Sequence, residues 1–181
     1  MAAPKSTADR RLERTAYHEA GHAVASYFLH VKIKAVTIIP SEETLGQLTH
    51  PPLHFGRQGV FDDSVRGINR AERHVIVLLA GPLAERKFAP HSRWRLHAGS
   101  DFDSMGELFG RIQGEDDEAA TLYGRLLWRR AQRLVELRWK DIGAVAQALL
   151  EHKRLDAAGV DTAICRAHGL KPLTLAARGR G

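Results

Sequence analysis

Cysteine is almost absent from this chain: Cys165 is the only one in 181 residues. That excludes an internal disulfide and any thiolate metal cluster, so a bound metal must rest on histidine and carboxylate. Long hydrophobic runs are missing too. The longest, Val75 to Ala80, falls far short of the ~20 residues that cross a bilayer. The start, Met1-Ala2-Ala3-Pro4-Lys5-Ser6, has no apolar stretch of the kind a secretory leader carries. A soluble, cytoplasmic protein with no membrane partner is the expectation. No G-x-x-x-x-G-K-[ST] phosphate loop occurs, and no internal repeat or low-complexity segment.

What is present is an ordinary globular composition, 44% hydrophobic and 27% charged. The length suits one domain with a genuine core, read as residues 1–168, followed by a basic and mobile tail, 169–181. A helix is expected from Thr7 to Leu29, with no proline to interrupt it. Val31 to Pro40 alternates and is β-branched, the pattern of a strand, and Leu45 to Thr49 returns as its hairpin partner. His50 to Asp63, with two prolines and two glycines, reads as a loop. A long helix follows from Asp63 to Phe88, with a kink or a break at Gly81-Pro82 because a mid-helix proline removes a hydrogen bond. Ala89 to Gly99 reads as loop. Further helices are expected over Phe102–Ile112, Glu115–Leu137, Lys140–Glu151 and Ala158–Ala167. The architecture is therefore mainly α: a bundle-like helical domain with a small β-hairpin or sheet near the first helix.

The densest chemistry lies inside that first helix. His18-Glu19-Ala20-Gly21-His22 reads H-E-x-x-H. Residues four apart share a helix face, so both imidazoles can reach one metal ion. Glu19 falls beside the metal rather than on it, where it can take a proton from an attacking water. The alternative, a surface helix with two solvated histidines, fits poorly with Ala20, Ala23, Val24, Ala25 and Phe28 around the motif. Gly21 also costs about 1 kcal/mol of helix stability relative to alanine, which a helix needing no close approach would have no reason to carry.

Two histidines are an incomplete catalytic site, since zinc usually takes three protein ligands and leaves a fourth position open. The metzincin continuation is not present: the chain runs on through Ser26-Tyr27-Phe28-Leu29. Candidates for the third ligand are Glu85, Asp101, Asp103, His97, His50 and His54. Asp101 and Asp103 also have a structural reading, in which Ser100 caps a helix and Asp103 completes a Ser-x-x-Asp box. Spacing alone leaves the choice open.

Tyr17-His18-Glu19-Ala20-Gly21-His22-Ala23, then Val36-Thr37-Ile38-Ile39-Pro40 and Leu45-Gly46, resemble the peptidase domain of the FtsH family of ATP-dependent zinc proteases. Leu79-Ala80-Gly81-Pro82-Leu83-Ala84-Glu85 is similar to that family's Gly-Gly-x-Ala-Ala-Glu helix, and Ala98-Gly99-Ser100-Asp101 to its Gly-Ala-Ser-x-Asp segment. Trp139 to Leu150 looks like the family's late helix. The likeness runs from about Thr15 to Leu155 and is specific in the motif block, weaker towards the C-terminus. It implies an FtsH-type peptidase fold, zinc (Zn2+) as cofactor, Asp101 as third ligand beside His18 and His22, and Glu85 as a carboxylate orienting a ligand histidine. It implies a polypeptide substrate, unfolded or otherwise accessible, hydrolysed with Glu19 as base. Val36, Thr37, Ile38 and Ile39 would either offer a strand edge to an extended peptide or serve simply as a core strand. The family's ATPase module and membrane anchor have no counterpart here, so cleavage by this chain would be ATP-independent, with a separate ATPase or self-association as further partners. Pro82 and the His-Ala-Gly-Ser-Asp form of the ligand segment depart from the family pattern.

The formal net charge is +6. Arg125, Arg129 and Arg133, four apart, share a helix face behind the acidic run Glu115, Asp116, Asp117 and Glu118. With no aromatic interleaving, this reads as a solvated face rather than a nucleic-acid surface. The competing function is a non-catalytic, zinc-stabilised binding or regulatory module that docks this face on nucleic acid or an acidic partner. A structural zinc site has no use for Glu19, which weighs against it.

Overall fold

The computed structural model describes residues 6–40, 46–49, 62–113 and 117–172. The chain is mainly helical with a small antiparallel sheet. Its first helix, α1 (Thr7–Phe28), starts at a complete capping box: the Ser6 side chain accepts from the Asp9 N–H, and the Asp9 carboxylate accepts from the Ser6 N–H. The second, α2 (Val65–Phe88), is capped by Ser64, whose hydroxyl accepts from the Gly67 N–H. These two helices are the centre of the fold and pack chiefly on each other; α1 also carries α6 (Trp139–His152), and α2 carries α4 (Gly99–Gln113) and α5 (Asp117–Leu137). The short α3 (Trp94–His97) links α2 to α4, and α7 (Ala157–Ala167) packs on α6.

Small residues bring α1 and α2 together. Ala16, Ala20 and Ala23 of α1 and Ala80 and Ala84 of α2 are fully buried. A β-carbon added at Gly21 would lie 2.5 Å from the Ala80 carbonyl oxygen and 2.7 Å from the Ala84 β-carbon. The glycine in the H-E-x-x-H motif is thus where the two backbones cross.

β1 (Ala35–Thr37) lies between β2 (Gln47–Thr49) and β3 (Arg154–Asp156), antiparallel to both. Val36 sits opposite Leu48 on one side and Leu155 on the other. The expected pairing is present, but Val31 to Pro40 is strand only over Ala35–Thr37, and a third strand joins from between α6 and α7. The expected open edge at Val36 to Ile39 is corrected by the same pairing. β1 is the central strand, and the Ile38 N–H is bonded to the Lys153 carbonyl. Val36 and Ile38 are core residues, and the Thr37 hydroxyl donates to the Lys153 carbonyl while accepting from the Ile39 N–H.

Three further boundaries differ. Gly81-Pro82 does not divide α2, which runs unbroken across it. Pro82 has no N–H to donate to the carbonyl four residues back, Leu78, and buried Val77, Leu79 and Leu83 surround the turn. The expected loop from Ala89 to Gly99 contains α3, anchored by Trp94, which lies near Phe102 and Trp128. Because α4 begins at Gly99, Ser100 stands inside the helix and is not its cap. Most of the expected loop His50–Asp63, the acidic residues Glu115 and Asp116, and most of the C-terminal tail lie outside the described residues. Among the described residues no helix is long and apolar enough to cross a membrane.

Candidate metal centre

The histidines of α1 lie on its buried face, against α2. Each is held from behind by an acceptor. His22 Nδ1 lies 2.8 Å from the Val77 carbonyl oxygen of α2, and His18 Nδ1 lies 3.2 Å from Glu85 Oε2. A carbonyl can only accept, so Nδ1 of His22 carries its proton and Nε2 is left with a lone pair. The Glu85 carboxylate sets His18 the same way. Both Nε2 atoms then point forward, 3.1 Å apart, towards Asp101 at the start of α4. Asp101 Oδ2 lies 3.0 Å from His18 Nε2 and 3.4 Å from His22 Nε2.

Three electron-pair donors therefore converge with edges of 3.0 to 3.4 Å. Ligands held at ~2.0–2.1 Å from one ion at tetrahedral angles are themselves about 3.3–3.4 Å apart. The set fits a single small cation, and two imidazoles with a carboxylate are a donor set that zinc accepts. Among the described residues this is the one group of three such side chains close enough to hold a metal.

The electrostatics of the metal-free chain follow from the same crowding. Burial pulls the His18 pKa down, but hydrogen bonds to Asp101 and Glu85 and the charge of Glu19 outweigh it and hold it at about 10. Burial opposes the charged form of His22 too, and Asp101 again reverses the direction. For Asp101, burial works upwards, yet the two imidazoles hold the carboxyl well below its ordinary range. Without a cation the site gathers protons in its place.

Glu19 is 5% exposed, and its pKa is raised mainly by burial, partly offset by His22 and His18. Its Oε2 has no hydrogen-bond partner among the described residues. A buried, unpaired carboxylate oxygen beside two imidazoles is costly unless a proton-bearing group meets it. Gly46, which leads into β2, stands over it: a β-carbon there would come within 2.9 Å of both Glu19 Cγ and Oε1.

Of the other candidates, Asp103 is exposed and does not join the cluster. His50 and His54 lie outside the described residues, as does the His97 side chain. Sequence reasoning missed four contributors: Gly81, the Val77 carbonyl, Ser92 and the covering role of Gly46. A β-carbon on Gly81 would lie 2.3 Å from His22 Nε2, so only glycine leaves the ring its place. Ser92 donates its hydroxyl to Glu85 Oε1 at 3.1 Å. Neither the carbonyl nor the serine carries any signal in sequence; Gly81 is visible beside Pro82, but nothing local ties it to His22.

No protein-family model matches the chain, and no curated protein matches it.

Proposed function

We propose that this chain is a zinc-dependent metallopeptidase of the FtsH peptidase type that hydrolyses accessible polypeptides. The observation that carries the reading is the convergence of three lone-pair donors, each histidine oriented from behind, beside a buried carboxylate with an unpaired oxygen. His18, His22 and Asp101 would hold the ion, which when bound acts as a Lewis acid and brings the pKa of water towards ~7.

Glu19 does the proton work. Burial raises its affinity for a proton, which suits a group that must take a proton from water and then release it to a leaving amine. Fixed on α1 between the two histidines, it needs no rearrangement to do so. Glu85 and the Val77 carbonyl keep each ligand in the tautomer that presents Nε2.

The peptide's place follows from the sheet. Both edges of β1 are taken, whereas β2 pairs only with β1 among the described strands. Its outer edge, entered through Gly46 above Glu19, is where an extended substrate would add a strand by main-chain hydrogen bonds. Such binding is sequence-tolerant and requires an unfolded segment.

The purified chain is expected to degrade a permanently unfolded protein such as reduced casein. Activity should be lost on treatment with a chelator and restored by stoichiometric zinc. Cleavage that survives complete metal removal would sink the reading.

A further inference from the structure

We propose that α4 is a gate on this centre: it opens ahead of the rest of the fold, and the ion held by its Asp101 closes it. The proposal rests on the metal reading above. The two imidazoles are set without α4. Both belong to α1, and the Val77 carbonyl and Glu85 behind them belong to α2. Of the three ligands, Asp101 alone comes from outside that helix pair. The helix that brings it is weakly built. Gly106 and Gly110 lie in its interior and are exposed, and a β-carbon at either would meet nothing within 4 Å among the described residues. No close approach calls for glycine there, in contrast with Gly21 and Gly81. Each such glycine weakens a helix about fivefold relative to alanine.

Its hold on the core is slight as well. Leu108 is its one buried residue among the described ones, and Phe102, Met105, Phe109 and Ile112 are only partly covered. α1 and α2 bury ten and thirteen residues respectively. Low propensity and few buried contacts mark a segment that opens before the global fold does. The ion acts where this helix begins, because Asp101 lies in its first turn. In the metal-free chain that turn meets α1 through Asp101 Oδ2, 3.0 Å from His18 Nε2 and 3.4 Å from His22 Nε2. A shared ion in place of those contacts fixes the first turn, and a helix whose nucleus is fixed propagates at little further cost. The converse also holds. The imidazoles are 8% and 5% exposed, so the ion enters and leaves when α4 opens.

The experiment is amide hydrogen exchange over peptides of α1, α2 and α4, on metal-free and zinc-saturated chains of wild type, Gly106→Ala and Gly106→Ala/Gly110→Ala. Zinc stoichiometry and the rate of zinc release to excess chelator are measured on the same proteins. In the metal-free wild type, α4 should exchange at least about tenfold faster than α1 and α2, and zinc should slow α4 more than either. Each alanine should slow both the exchange of metal-free α4 and the release of zinc by about fivefold, which makes roughly 25-fold for the double variant. Metal-free α4 that exchanges as slowly as α1 and α2 overturns the proposal. So does zinc that binds at one per chain yet slows the three helices equally, or zinc release at the wild-type rate from the double variant. Each of these leaves the metal reading intact. A wild-type chain that binds no zinc overturns both.

Discussion

Replacing Glu19 with glutamine leaves the metal in place and removes peptide cleavage. The substitution keeps the volume and one carbonyl oxygen of the side chain, so α1 and its contact with α2 are undisturbed. It deletes the one property the mechanism needs, a carboxylate able to accept a proton. Glu19 does not orient the ligands: the partners that do are Glu85 for His18 and the Val77 carbonyl for His22. Metal affinity should therefore stay within a few-fold of wild type. Loss of a positioned general base typically costs about a hundred- to ten-thousandfold in rate. The buried carboxylate is also expensive to the fold, because its raised pKa reports a charge held against desolvation. Glu19→Gln should for that reason fold at least as stably as wild type, the pattern of a residue kept for chemistry. Equal cleavage by the two proteins would remove Glu19 from the mechanism; loss of metal from the variant would place it in the ligand set.

Gly81→Ala is expected to be nearly as damaging by a purely steric route. The added methyl carbon would stand 2.3 Å from His22 Nε2 and 2.5 Å from its Cε1, both far inside contact distance. The ring has little freedom to yield, since its Nδ1 is tied to the Val77 carbonyl on the same helix, and Gly21 holds α1 against Ala80 and Ala84. The helices must separate or the ring must leave the site. Overpacking of this kind costs about 1–3 kcal/mol, or roughly 2–12 °C of melting temperature in a chain of this size. The larger effect falls on the metal: displacing a ligand should lower zinc affinity by at least ~100-fold, the upper end of what losing only a ligand's orienting partner costs. Gly106→Ala is the control. That glycine lies on an exposed part of α4 with nothing within 4 Å, so alanine should be neutral or stabilise by up to about 1 kcal/mol. Zinc bound normally by Gly81→Ala would show that His22 does not sit against α2 as described.

The difference between those two residues marks what could be read from sequence. Glu19 belongs to a contiguous motif on a helix whose period and apolar neighbours are visible in five residues, so its face and role are local properties. Asp101 is 83 positions from His18, and helix periodicity carries nothing across such a gap. It was separable from Asp103 only by family resemblance, and then by the geometry that leaves Asp103 exposed. Gly81 acts by lacking an atom, Val77 through its backbone and Ser92 through a turn; none leaves a pattern in side-chain types. The unread β3 is three residues between two helices, paired to a strand far upstream. Its pairing also closed the outer edge of β1, leaving β2 and β3 as the edge strands, a change that no local pattern in Val31 to Pro40 could show.

The central claim is that one ion is held by His18, His22 and Asp101. It is tested most directly by zinc titration of wild type, Asp101→Ala and Asp103→Ala after complete metal removal. The account predicts one tightly bound zinc per chain in wild type and in Asp103→Ala, and a large loss of affinity in Asp101→Ala. Tight zinc binding that survives in Asp101→Ala and is lost in Asp103→Ala would contradict it, as would a wild-type chain that takes up no zinc at all.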